Sequence, residues 1–111
     1  MVKRYIPAAG DLIWLDFDPQ AGHEQAGHRP AVILSSATYN VTGMLICVPV
    51  TTKVKGYPFE VELFGDVRSV ALADQISSMD WKARNAQFIR KIDFDELAQI
   101  RELAQLLITS D

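Results

Sequence analysis

The feature that most constrains this chain is its rhythm: short runs of branched and aromatic residues recur at regular intervals, each closed by a turn signal, until the final segment changes period. Leu12-Ile13-Trp14-Leu15-Asp16-Phe17 follows the Gly10-Asp11 turn and stops at Asp18-Pro19. Further strands are predicted at Pro30 to Ser35, Met44 to Val50, Phe59 to Leu63 and Arg68 to Ala73, with a short one from Ile76 to Met79. Glu60-Val61-Glu62-Leu63 alternates charged and apolar side chains and should have one wet face, whereas Leu45 to Val50 reads as buried on both. In the last segment Leu97, Ile100, Ala104 and Leu107 recur at helical spacing, opposite Asp95, Gln99, Glu102 and Gln105. Asp93 is a suitable N-cap, and Glu96 can reach back to its amide.

With 111 residues, 49% of them apolar, the chain can bury one core but not two. The expected architecture is a single domain over residues 1–111, mainly β (α+β): a small antiparallel sheet curled into a barrel to remove its edges, with the C-terminal helix packed on it.

No run is long enough for a signal peptide or a membrane span, so a cytoplasmic protein with no membrane partner is expected. The lone cysteine, Cys47, lies among the apolar residues of a strand and reads as a small buried hydrophobe rather than a nucleophile. A net charge of −3 argues against a general nucleic-acid coat. The charge is uneven, however. Residues 19–58 carry Arg29, Lys53 and Lys55 against the single acid Glu24, a local +2 that leaves −5 elsewhere, so a modest basic face can sit beside an acidic body.

The densest chemistry lies in Gly22-His23-Glu24-Gln25-Ala26-Gly27-His28-Arg29-Pro30, directly before an apolar strand that would hold the loop. Glycines at 22 and 27 let Glu24 and Arg29 turn toward one point, placing an acid or base beside a fixed cation. Such a pair suits proton removal from a nucleophile while negative charge builds on a phosphoryl centre. A salt bridge that merely ties the loop is the competing reading. His28 or His23 could relay a proton near neutral pH, with a loop hydrogen bond the simpler role for each and His28 the better functional candidate. The two histidines lack the spacing of a zinc motif and no further cluster completes a site, so neither a metal nor a cofactor is expected.

Thr51 and Thr52 end a strand, where a hydroxyl can donate to a phosphate oxygen or cap the turn. Lys53 and Lys55, with Tyr57 and Phe59 nearby, form a mixture of cations and aromatic faces that suits single-stranded RNA but also an ordinary solvated hairpin. Trp14 and Trp81 read as core or interface anchors.

Taken in order, Gly10-Asp11-Leu12-Ile13-Trp14, Asp16-Phe17-Asp18-Pro19, the loop from Gly22 to Val32, Val48-Pro49-Val50-Thr51-Thr52, Lys55-Gly56-Tyr57-Pro58-Phe59-Glu60 and Ala73-Asp74-Gln75 resemble the MazF/PemK family of toxin endoribonucleases nearly end to end. The resemblance implies an SH3-like barrel, a homodimer, and metal-independent cleavage of single-stranded RNA, chiefly mRNA, with growth inhibition as the result. It further implies a MazE-like antitoxin as partner, whose disordered C-terminal segment folds over the toxin. Carried over by motif, the catalytic arginine falls on Arg29 and the catalytic threonine on Thr51, with Glu24 as acid or base; His28 competes for the proton, and Thr52 neighbours the threonine position. RNA contacts are expected from Gln25, Thr52, Lys53, Lys55 and Tyr57. In this reading the RNA 2′-OH attacks phosphorus and leaves 2′,3′-cyclic phosphate and 5′-OH ends, and an ACA-like triplet is the implied motif. Position 23 is often serine in the family and is histidine here. The alternative is a CcdB-like toxin, which shares the barrel but acts by binding DNA gyrase and needs no Arg29–Thr51 pair.

Overall fold

The computed structural model describes residues 4–18 and 25–110. In chain order its elements are β1 (Asp11–Asp16), β2 (His28–Ile33), α1 (Ala37–Asn40), β3 (Met44–Thr51), β4 (Glu60–Leu63), β5 (Ser69–Leu72), β6 (Ser77–Asp80), β7 (Gln87–Lys91) and α2 (Phe94–Thr109). Every ladder is antiparallel, in the order β4-β5-β3-β2-β1-β7, with β6 also on β3.

The long strand β3 organises the fold. Its first half pairs with β6 (Met44 opposite Asp80), its middle with β2 (Val48 opposite Val32), and its end with β5 (Thr51 opposite Val70). Pro49, which has no N–H to give, sits where β3 exchanges β2 for β5. This change of partner curls the sheet into a half-barrel with one apolar cluster on each side. Leu12, Val32, Val48, Val50, Val61 and Leu63 pack with Leu97 and Ile100 of α2, whereas Ile13, Leu15, Ala31, Ile33, Leu45 and Cys47 pack with Met79 and Trp81.

The sheet curls without closing through backbone pairing: β4 and β7 end the strand order, and no ladder joins them among the described residues. Side chains span the gap. Arg90 of β7 donates to the Phe64 carbonyl just beyond β4. Glu96 of α2 accepts from the Phe64 amide through Oε2 (2.7 Å) and from the Asp93 amide through Oε1 (2.9 Å), so the residue predicted to cap the helix also fastens it to the sheet.

Several expectations shift. Leu107 is 51% exposed rather than buried, because residues 105–110 have nothing of the described chain beneath them; Leu103 packs toward the core instead. Ile46 is exposed, so β3 is buried on both faces only from Cys47 onward, where α2 covers the side carrying Val48 and Val50. The strand β7 and the short helix α1 were not anticipated. Most important for the site, β2 starts at His28, so part of the polar segment is strand: Arg29 lies opposite Leu15 and His28 opposite Asp16. Cys47 is fully buried and burial pushes its thiol up to about 12, consistent with a core residue.

Candidate active site

Arg29 and the residues leading into it are held at the entrance of β2 by four hydrogen bonds. Its Nε donates to the Ala26 carbonyl (2.7 Å), which fixes the base of the guanidinium. Gly27, in the left-handed region at φ 77°, donates to Asp18 Oδ1 (2.9 Å), and its carbonyl accepts from the Phe17 amide (2.9 Å). The Gln25 amide donates to Gln75 Oε1 (3.1 Å) across the fold. The returning leg of the polar segment is thus bound to the chain just after β1 and to the chain after β5.

Thr51 ends β3 and is 7% exposed; its Oγ1 accepts from the Lys53 amide (3.1 Å), a turn-capping bond that leaves its hydroxyl proton for another acceptor. Arg29, Thr51, Thr52, Lys53 and Gln25 line one cavity of about 370 Å³, whose apolar wall includes Leu12, Pro30, Val50 and Val67. Two cationic residues, two threonines and a glutamine therefore line one space that also has an apolar wall. An anionic group with a polar partner on either side is the natural occupant.

His28 does not join them. Its Nδ1 pairs with Asp16 Oδ1 (2.6 Å), its ring stacks on Trp14 (centroids 5.2 Å apart, planes 11° from parallel), and it borders a separate depression with Asp16, Asp18 and Arg84. Asp16 is in turn held by Asn85 Nδ2 (2.7 Å), and the Asn85 and His28 contacts keep its carboxyl below the usual range. Trp14 is 37% exposed, unlike Trp81, which is buried with its indole N–H on the Asn40 carbonyl (2.8 Å).

Lys55 and Tyr57 lie on the connection between β3 and β4, outside the cavity. The Lys55 ammonium stands over the Tyr57 ring (6.0 Å), which packs on Phe59 (5.2 Å), and the Glu60 carboxylate holds the turn through the Lys55 and Gly56 amides. Glu24 and His23 lie outside the described residues. Among the described residues no three His, Cys, Asp or Glu side chains converge as a metal site, and no helix is long and apolar enough to cross a membrane.

Gln25 also lines a second cavity of about 380 Å³ with Asp74, Gln75, Ser77, Ser78 and Arg84. Burial raises the Asp74 carboxyl against its own backbone hydrogen bond, with a contribution from Glu60. These residues were not among the sequence-derived candidates; only the Ala73-Asp74-Gln75 motif pointed at the segment.

Comparison with known proteins agrees with this geometry. Residues 8–108 match the family described as PemK-like, MazF-like toxin of type II toxin-antitoxin system. The chain is 56% identical to the endoribonuclease toxin MazF of Escherichia coli K12, over 97% of this chain and 99% of that protein, and 39% identical to the endoribonuclease toxin ChpB of the same strain, over 80% and 83%. A crystal structure of MazF from Deinococcus radiodurans superposes with a TM-score of 0.90 at 49% identity, covering 95% of this chain and 98% of that one. A MazE–MazF structure from the same organism superposes with a TM-score of 0.83 at 41% identity, over 97% and 100%. The gyrase-binding alternative gains nothing from these matches. A half-barrel with Arg29 and Thr51 in one cavity, matched over nearly its whole length, belongs to the PemK-like, MazF-like toxin family of type II toxin–antitoxin systems.

Proposed function

We propose that this protein is a toxin endoribonuclease that cuts single-stranded RNA, chiefly mRNA, at a short sequence motif without a metal ion, and so arrests translation and growth. The observation that carries the proposal is the convergence of Arg29 and Thr51, from two different strands, on one cavity beside Gln25, Thr52 and Lys53. The relatives named endoribonuclease toxins share this chain's length and much of its sequence.

In the proposed reaction the 2′-oxygen forms a bond to the adjacent phosphorus while the bond from phosphorus to the 5′-oxygen breaks. The 2′-OH proton passes to a base, the departing 5′-oxygen takes a proton, and 2′,3′-cyclic phosphate and 5′-OH ends remain. Arg29 offers a planar donor fork to the phosphorane oxygens, and the Thr51 hydroxyl donates beside it. Lys53 adds charge at the rim. We assign the proton transfer to Glu24 rather than His28, since the His28 ring is engaged by Asp16 and Trp14 away from the cavity. Lys55 and Tyr57 extend the RNA path outward by charge and stacking.

The protein acts in the cytoplasm as a homodimer, is neutralised by a MazE-like antitoxin, and favours an ACA-like triplet; the MazE–MazF complexes of a 41%-identical relative support the antitoxin partner. The test is one oligonucleotide made as RNA, as DNA, and as RNA with a single 2′-deoxy nucleotide at the cleaved position. With EDTA present only the first should be cut. Cleavage of the 2′-deoxy RNA, or a strict need for a divalent ion, would overturn the mechanism.

A further inference from the structure

The exposed Trp14 has no task in the reaction above, yet it is stacked and placed with care. Its cross-strand partner is Pro30, and the neighbouring pairs on the same face are Leu12 with Val32 and Asp16 with His28. Side chains two apart on a strand share a face, so Leu12, Trp14, Pro30 and His28 form one continuous surface. Leu12 and Pro30 are also wall residues of the Arg29–Thr51 cavity. One step farther, the surface becomes an indole 37% exposed, lying nearly parallel on an imidazole.

From this continuity we infer that Trp14 and His28 form a stacking platform for a nucleobase of single-stranded RNA, next to the cavity that takes the scissile phosphate. The inference rests on the endoribonuclease reading above. Bases offer π-faces whatever their identity, so such a platform adds affinity without reading sequence. His28 fits the role better than proton transfer: its Nδ1 is spent on Asp16 Oδ1, and Asp16 is steadied from the other side by Asn85, so the carboxylate fixes the plane of the ring. Asp16 and Asn85 are positioning residues for the platform.

Two readouts test this. The first is tryptophan emission during titration with an uncleavable RNA carrying a 2′-deoxy nucleotide at the cleaved position. Wild-type emission should be quenched, and Trp14→Phe, which leaves only buried Trp81, should lose the change. The second is kcat and KM on two RNAs sharing the cleavage motif, one minimal and one extended by several nucleotides at both ends. Extension should lower KM for wild type, and Trp14→Ala should raise KM on the extended RNA about 5- to 150-fold, the range for loss of one stacked base. Its kcat on the minimal RNA should change little. Trp14→Phe and His28→Phe, which keep an aromatic face, should retain most of the gain and an unaltered pH profile.

Quenching without cleavage would sustain the platform and remove the nuclease reading. Cleavage with unchanged KM in Trp14→Ala would remove the platform alone, as would a folded variant whose only loss is self-association or antitoxin binding. Loss of kcat with a flattened pH profile in His28→Phe would return His28 to proton transfer and overturn the inference.

Discussion

Arg29 and His28 are adjacent in sequence and separate in the fold, and the proposed reaction accordingly gives the task at phosphorus to Arg29 alone. Arg29 lines a cavity together with Thr51, while the His28 ring is spent on Asp16 and Trp14. Arg29→Ala should cut kcat by about 10²–10³-fold with folding preserved, since it removes charge stabilisation in the transition state rather than core packing. Arg29→Lys should recover only part of this, because an ammonium lacks the planar fork; single-turnover cleavage assays separate the two outcomes. Residue types alone leave Arg29 open to a loop salt bridge and Thr51 to a turn cap, and it is the resemblance to the MazF/PemK family that singles the two out as candidates. The separation of His28 from the cavity they line is not legible in the sequence, because it depends on a cross-strand pairing with Asp16 that no local pattern announces. A second prediction concerns Cys47. The folded chain holds its thiol proton more tightly than the unfolded chain does, with the thiol raised from near 9 to about 12. Its contribution to stability is therefore complete below pH 9 and declines as pH rises toward 12. Denaturation midpoints measured across that range should fall, and fall less steeply in Cys47→Ala.

At the scale of elements, α2 shows how one side chain serves two purposes. Glu96 is buried, completes the start of its own helix through the Asp93 amide, and holds the Phe64 amide at the end of β4. Glu96→Ala leaves both donors without this acceptor and should cost about 2 kcal/mol, a fall in Tm of roughly 10 °C, while Glu96→Gln should cost less because one acceptor oxygen remains. Thermal melts of the two variants decide it. The capping role was readable from Asp93 and Glu96, but the tie to Phe64 was not, since it spans two elements distant in sequence. The strands were readable where alternation or burial was clean, as in Glu60–Leu63 and Met44–Thr51. Strand β7 escaped because its ladder with β1 shifts register between Leu12 and Ile13, which breaks the period-2 signal, and because Phe88 faces solvent. The start of β2 escaped because His28 and Arg29 look like loop residues until Asp16 and Leu15 pair with them.

Across the whole molecule the half-barrel is held by a few polar side chains that bind segments far apart in sequence. Asn40, fully buried, donates to the Pro7 carbonyl (2.7 Å) and the Ser35 carbonyl (3.0 Å), accepts from Ser35 Oγ (2.6 Å), and offers its own carbonyl to Trp81 Nε1. Asn40→Ala should destabilise by about 2–4 kcal/mol, because it leaves buried partners unsatisfied and opens a cavity; urea denaturation gives the value. That scaffold holds β2 and the end of β3 in register, so that Arg29 and Thr51 meet at a common cavity. In the proposed function this meeting makes a metal-independent ribonuclease. Its most direct test is to incubate the purified protein with a complex RNA pool in EDTA and sequence the new 5′ ends. The wild-type protein should leave 5′-OH ends clustered at one short recurring motif, absent with Arg29→Ala; an uncut pool, or ends that recur unchanged in that variant, would rule out this function.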